Sequence, residues 1–176
     1  APNRAGHRRC LREGVARGAW LLVSPTVPAV VGLDEQDDVD VDLDRWQTLA
    51  VASFVEQGIT AGECNLLFVD EATIQQLNFE HRDKDTPTDV LSFPLDGPDA
   101  SEPDDLIGDI VVCATIAAAN APEHEGQGHH RGTLDDELAL LVVHGVLHLL
   151  GHGHEVDEEA ERMEALEQKL LQAHHR

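Results

Sequence analysis

Between positions 133 and 150 the sequence spells out a helix, and no other segment constrains the fold as much. Thr133-Leu-Asp-Asp136-Glu137 reads as a capping box with acids in the first turn, where they face the positive end of the helix dipole. Leu138-Ala-Leu-Leu-Val-Val143 follows and is apolar on every side. A helix that is apolar all round has to be buried, so the rest of the domain must wrap around it. This core helix then carries His144 and His148. Four residues turn an α-helix by about 400° and raise it by roughly 6 Å, so both imidazoles leave one face, one turn apart. An imidazole without a partner is costly in such surroundings. Hydrogen bonds to backbone would satisfy the pair, but His154 changes the reading. No helix returns position i+10 to the face of i and i+4. Gly151 lies between them, and glycine accepts the left-handed conformation that ends a helix. The chain can then turn and bring His154 back. Three neutral imidazoles suit zinc, and three protein ligands leave a fourth position for water or substrate. The expectation is one Zn2+ per chain, held by His144, His148 and His154 at a catalytic rather than a structural site.

The same spacing matches the zinc-protease pattern H-E-x-x-H-x-x-G-x-x-H at every place but one. Gly145 stands where the glutamate would be. Peptide hydrolysis by that route needs the carboxylate as general base, and the chain does not supply it. Met163 is the only methionine, and it falls with Leu166 and Leu170 on the apolar positions of a helical pattern over 155–172, not in a Met-turn.

A length of 176 residues suits one domain with a substantial core. Thirty-four acidic residues against 12 lysines and arginines give a net charge of −22. Such a charge favours solubility and opposes non-specific attraction to nucleic acid or anionic membrane. Cys10, Cys64 and Cys113 are odd in number and lack CxxC spacing, so they read as free thiols in a reducing, cytoplasmic compartment. No apolar run approaches membrane-spanning length. Residues 1–23 imitate a signal peptide, but the apolar run 19–23 is short and Ser24-Pro25 breaks it. Residues 1–28 are expected to form a flexible arm and 29–176 the folded domain.

Strands are expected over 29–33, 65–69, 89–93 and 107–113. Helices are expected over 45–57 (capped by Asp44), 71–79 and 115–120, and in the two long segments broken at Gly151–Gly153. His124, His129 and His130, in a polar insertion at 121–132, read as solvated loop residues, as do the terminal His174 and His175. His152 is expected to point away from the ion. Asp70, Asp85, Asp89 and Asp109 lie near strand ends and read equally as catalytic groups or as turn and cap residues.

Three ordered blocks resemble the signature of the YbeY family of bacterial metal-dependent endoribonucleases. They are Leu77-Asn78 with Arg82-Asp-Lys84-Asp85-Thr-Pro87-Thr88-Asp89-Val-Leu-Ser92-Phe-Pro94, then Ile107-Gly108-Asp109-Ile-Val, then His144-Gly-Val-Leu-His-Leu-Leu-Gly-His-Gly-His154. The resemblance spans roughly 29–172 and leaves out 1–28 and 121–132. It implies an α+β fold: a single domain with a small mixed β-sheet covered by helices, the histidine motif lining a cleft from a buried helix. It implies zinc at the three histidines, single-strand-specific RNA cleavage, a role in maturing the 3′ end of 16S rRNA, and ribosome quality control. The implied partners are single-stranded RNA and the ribosome or its proteins. Arg82 matches the family's functionally important arginine. The motif departs from the family's usual Tyr-Asp-His ending, with His152-Gly153-His154 in its place. The change removes an acceptor near the ligands and loosens the turn that carries His154.

Arg82 and His144 are the catalytic candidates: zinc as Lewis acid or water carrier, and Arg82 as a bidentate phosphate clamp. A surface salt bridge is the plain alternative for Arg82, although Lys84 beside it favours a phosphate role. His152 or one of the strand-end aspartates would serve as general base. The rivals are a peptidase-like zinc hydrolase, disfavoured by Gly145, and a non-catalytic metal-binding protein of ribosome assembly.

Overall fold

The structure is a computed structural model that describes residues 27–175, so the arm expected over 1–28 lies outside the described residues except for Val27 and Pro28. Strands and helices follow in the order β1 (Ala29–Asp34), α1 (Leu43–Glu56), β2 (Glu63–Phe68), α2 (Glu71–Arg82), β3 (Val90–Pro94), β4 (Leu106–Val112), α3 (Ala114–Asn120), α4 (Leu134–Leu149) and α5 (Asp157–His174). Short 3-10 turns occupy Gly97–Asp99 and Ala121–His124. The sheet order is β1-β2-β4-β3. β1, β2 and β4 run parallel, and β3 joins the edge antiparallel to β4. This is the small mixed sheet of an α+β domain, as the family resemblance implies.

Alternation along the strands divides the core in two. Val30, Cys64, Leu66, Phe68, Ile110 and Val112 face α1 and α4, while Leu91 and Val111 face Ile74 of α2. The α4 segment is the buried helix that its composition demands: Leu138, Ala139, Val142, Val143, Val146, Leu147 and Leu149 are all closed to solvent. Gly145 sets how near this helix lies to the sheet. A Cβ at that position would stand 2.7 Å from Ile110 Cγ2. Gly145→Ala is therefore expected to lower stability by about 1–3 kcal/mol through overpacking. Urea denaturation would register this as a lower midpoint, and an unchanged midpoint would show that the sheet yields freely.

Several boundaries differ from expectation. The cap of α1 is Asp42, whose side chain accepts from the backbone N–H of Arg45, not Asp44. The α2 helix runs three residues beyond 79 and ends at Arg82, because Asp83 adopts the left-handed conformation (φ 54°) and closes it. Aspartate tolerates that conformation better than most residues. Arg82 thus belongs to the last turn of a helix, not to a polar loop. Met163 is buried in the core, as its place among the apolar positions implies.

His175 is not a solvated terminal residue. Its Nε2 lies 2.7 Å from Asp136 Oδ1, and Arg131 and Thr133 bond the same buried carboxylate. Burial alone would raise the Asp136 pKa, but the bonds from Arg131, His175 and Thr133 outweigh it and hold the group far below the ordinary carboxylate range. This network ties the end of α5 to the start of α4. Cys64 and Cys113 are free and buried. Burial, with the charges of Asp109 and Glu63, pushes the Cys64 thiol up to about 12, so it stays protonated.

Candidate metal centre

His144 and His148 project from the last two turns of α4. The helix then ends as the sequence requires. Gly151 takes φ +86°, its N–H donates to the His148 carbonyl, and the His152 N–H reaches back to the Leu147 carbonyl, each at 3.0 Å. These paired bonds form a Schellman cap, which satisfies the last carbonyls of the helix and reverses the chain. The reversal brings His154 to the other two. Ring centroids lie 4.4 Å apart for His144–His148, 5.0 Å for His148–His154 and 5.8 Å for His144–His154. One nitrogen from each ring lies within 4.8 Å of the others, a grouping able to hold a metal ion. His144 and His148 are half-buried and His154 is exposed, so the group is open on one side.

Electrostatics suit the same use. Burial, and then the charges of His144 and His154, push the His148 pKa down to about 4. At neutral pH the imidazole is therefore uncharged and keeps the lone pair a metal needs. His144 Nδ1 lies 2.7 Å from Glu167 Oε1 on α5. The sequence reading did not single out Glu167. Its signal was present, since Glu167 lies on the stripe of Met163, Leu170 and Leu171, all buried, where a carboxylate needs a partner.

Arg82 is exposed and shares no hydrogen bond, ion pair or cation–π contact with the three histidines or with any carboxylate among the described residues. A surface salt bridge thus does not account for it. Its helix packs on β3 through the His81–Phe93 pair, whose rings are 4.8 Å apart. On the opposite face of the same strand, Ser92 Oγ lies 3.5 Å from the Gly145 carbonyl of α4. The helix that ends at Arg82 and the helix that carries His144 and His148 therefore flank edge strand β3. A family model described as Endoribonuclease YbeY matches residues 33–175.

The chain belongs to the YbeY family.

Relatives named Endoribonuclease YbeY include one from Carboxydothermus hydrogenoformans, 43% identical over 82% of this chain and 94% of that protein. Another, from Pseudomonas putida, is 44% identical over 75% of this chain and 78% of that protein. Among solved structures, a solution structure from Thermotoga maritima superposes with a TM-score of 0.53 at 29% identity, covering 82% of this chain and 90% of that one.

The remaining candidates of this YbeY chain divide clearly. Asp70 caps α2 through the Thr73 N–H, and bonds from Thr73 lower its pKa. Asp85 accepts from Gln75, Asp89 accepts from the Val90 N–H, and Asp109 accepts from Asn65 across the sheet. All four make turn, cap or cross-strand bonds. His152 is not part of the three-imidazole group. The room beside Gly153 is not empty: a Cβ there would meet Glu159 Oε2 at 3.1 Å. Among the three ligands, His144 has a carboxylate partner in Glu167 despite the missing aspartate.

His124 and His130 are not free loop residues. His124 Nδ1 and His130 Nε2 lie 2.7 and 2.9 Å from one oxygen of Glu137, which is fully buried. These three also gather closely enough to hold an ion. However, the Gly132 N–H donates to His130 Nδ1 at 3.0 Å, which places the ring proton on Nε2, directed at Glu137. The group is better described as a hydrogen-bonded clasp that fastens the 121–132 segment to α4.

Proposed function

We propose that this chain is a zinc-dependent, single-strand-specific endoribonuclease. Its task is the maturation of the 16S rRNA 3′ end and ribosome quality control in the cytoplasm, with rRNA and the ribosome or its proteins as partners. The observation that carries the proposal is the convergence of His144, His148 and His154 with one side open, in a family whose curated relatives are named endoribonucleases. The donor set fits zinc: three imidazoles, one uncharged through burial and one held by a carboxylate. Among the described residues no helix is long and apolar enough to cross a membrane.

Zinc bound there would supply Lewis acidity toward a phosphoryl oxygen. The other work falls to the chain. The Arg82 guanidinium is exposed and bonds no carboxylate among the described residues, so its fork is available to grip a phosphate and offset charge as the bond breaks. Its position is secured from below. Asn78 donates to the Thr86 carbonyl at 2.7 Å, which ties the following loop to α2. In a chain of net charge −22, phosphate affinity has to come from a few such contacts. The peptidase alternative is weakened by packing as well as by composition: position 145 faces Ile110 in the core, so a glutamate there would enter the sheet and not the cleft.

Metal analysis of the purified protein, run beside cleavage of labelled single-stranded and duplex RNA, tests the proposal. About one zinc per chain is expected, with cleavage of the single strand only, lost to a chelator and restored by zinc. Bound zinc without cleavage would favour the non-catalytic assembly role. Absence of any bound metal would overturn the zinc centre.

A further inference from the structure

Glu167 lies 23 positions from His144 in the chain and on a different helix, yet the two side chains meet at 2.7 Å. The contact is sheltered, with the Glu167 side chain 12% exposed and that of His144 27% exposed. The bonding atom of the ring is Nδ1. An ionised carboxylate can only accept, so Nδ1 carries the proton and donates the hydrogen bond, and the neutral ring then has its lone pair on Nε2. Nε2 is thereby the nitrogen left to serve as ligand atom in the three-histidine group. The other two rings have no carboxylate bond of this kind among the described residues. Six further acids crowd the start and outer face of α5, namely Glu155, Asp157, Glu158, Glu159, Glu161 and Glu164, and all are exposed.

We infer that Glu167 is a positioning residue of the metal centre: it fixes the tautomer and rotation of His144 and so raises the affinity of the three-histidine site. The inference rests on the proposed zinc centre. Its reach follows from topology. The segment 150–156 that delivers His154 runs between α4 and α5, and Glu167 joins those two helices at the ligand itself. A single bond therefore orients one ligand and fixes the helix that bounds the return path of another. Outer-sphere carboxylates of this kind change metal affinity by about 10–100-fold.

Chelator competition for zinc on wild type, Glu167→Gln and Glu167→Ala tests this, together with nitrogen-15 NMR of the histidine rings in metal-free wild type. Glu167→Gln keeps shape and an acceptor oxygen but removes the charge, and it is expected to weaken zinc by about 10-fold; Glu167→Ala is expected to weaken it by about 100-fold. Ligand-field spectra of the cobalt-substituted variants are expected to shift, which a purely structural role would not cause. The NMR arm is expected to place the His144 proton on Nδ1. Wild-type affinity in both variants, or a His144 proton on Nε2, would overturn the inference. If Glu167→Ala fails to fold, Glu167→Gln and the tautomer still decide. If wild type itself binds no zinc, the zinc centre fails and takes the inference with it; if wild type binds zinc and both variants match it, the inference alone fails.

Discussion

His148→Ala is expected to lower zinc affinity by more than about 100-fold, beyond the loss typical of an outer-sphere partner. The imidazole it removes is central to the group, lying nearer to both other rings than they lie to each other. Burial also disfavours its charged form, so its lone pair is available well below neutral pH. Chelator competition measures the loss, and His152→Ala is the matched control, since that ring lies outside the group. Near-wild-type affinity in His148→Ala would remove the three-histidine centre. A comparable loss in His152→Ala would make the neighbouring ring a fourth ligand. The fold is expected to survive, because the core contacts of α4 are made by Val142, Val143, Val146 and Leu147.

Arg82→Ala is expected to reduce the rate of RNA cleavage by about 10²–10³-fold, the usual effect of deleting one transition-state donor. Zinc content and thermal midpoint are expected to stay at wild-type values, since Arg82 is exposed and has no ion pair among the described residues. Arg82→Lys is expected to recover only part of the rate, because an ammonium cannot grip two phosphate oxygens in the plane of a fork. Full activity in Arg82→Ala would end the phosphate role. A lowered midpoint with lost activity would assign the arginine to the structure of the α2 terminus.

Much of this site was legible in the sequence because its logic is local. The three histidines and the glycine that reverses the chain lie within eleven consecutive residues, directly after the apolar run of the buried helix. What escaped was long-range or depended on one backbone angle. Glu167 looked like one acid among many on α5, although its stripe with Met163 and Leu170 marked it. Glu137 reads from the sequence only as a first-turn acid favoured by the helix dipole. Its burial depends on His124 and His130 folding back from a segment whose composition reads as loop. The end of α2 was misplaced because its stop is an aspartate in the left-handed region, which carries none of the warning a glycine gives. The α1 cap was misplaced by two residues because Asp40, Asp42 and Asp44 alternate with Val39, Val41 and Leu43. The packing of those apolar partners on the core decides which acid caps.

The helix that carries two of the ligands is also the helix the whole domain is built around, and this sets the order of assembly. Amides near 144–148 lie in the most protected layer, so their hydrogen exchange should require global opening, as core elements generally do. The chain would then fold first and load metal afterwards into a rigid half-site, with only the exposed His154 left to settle. Metal-free protein should accordingly show native exchange protection through α4 and altered protection confined to 150–156. That behaviour is the reverse of a zinc finger, whose fold waits for its ion.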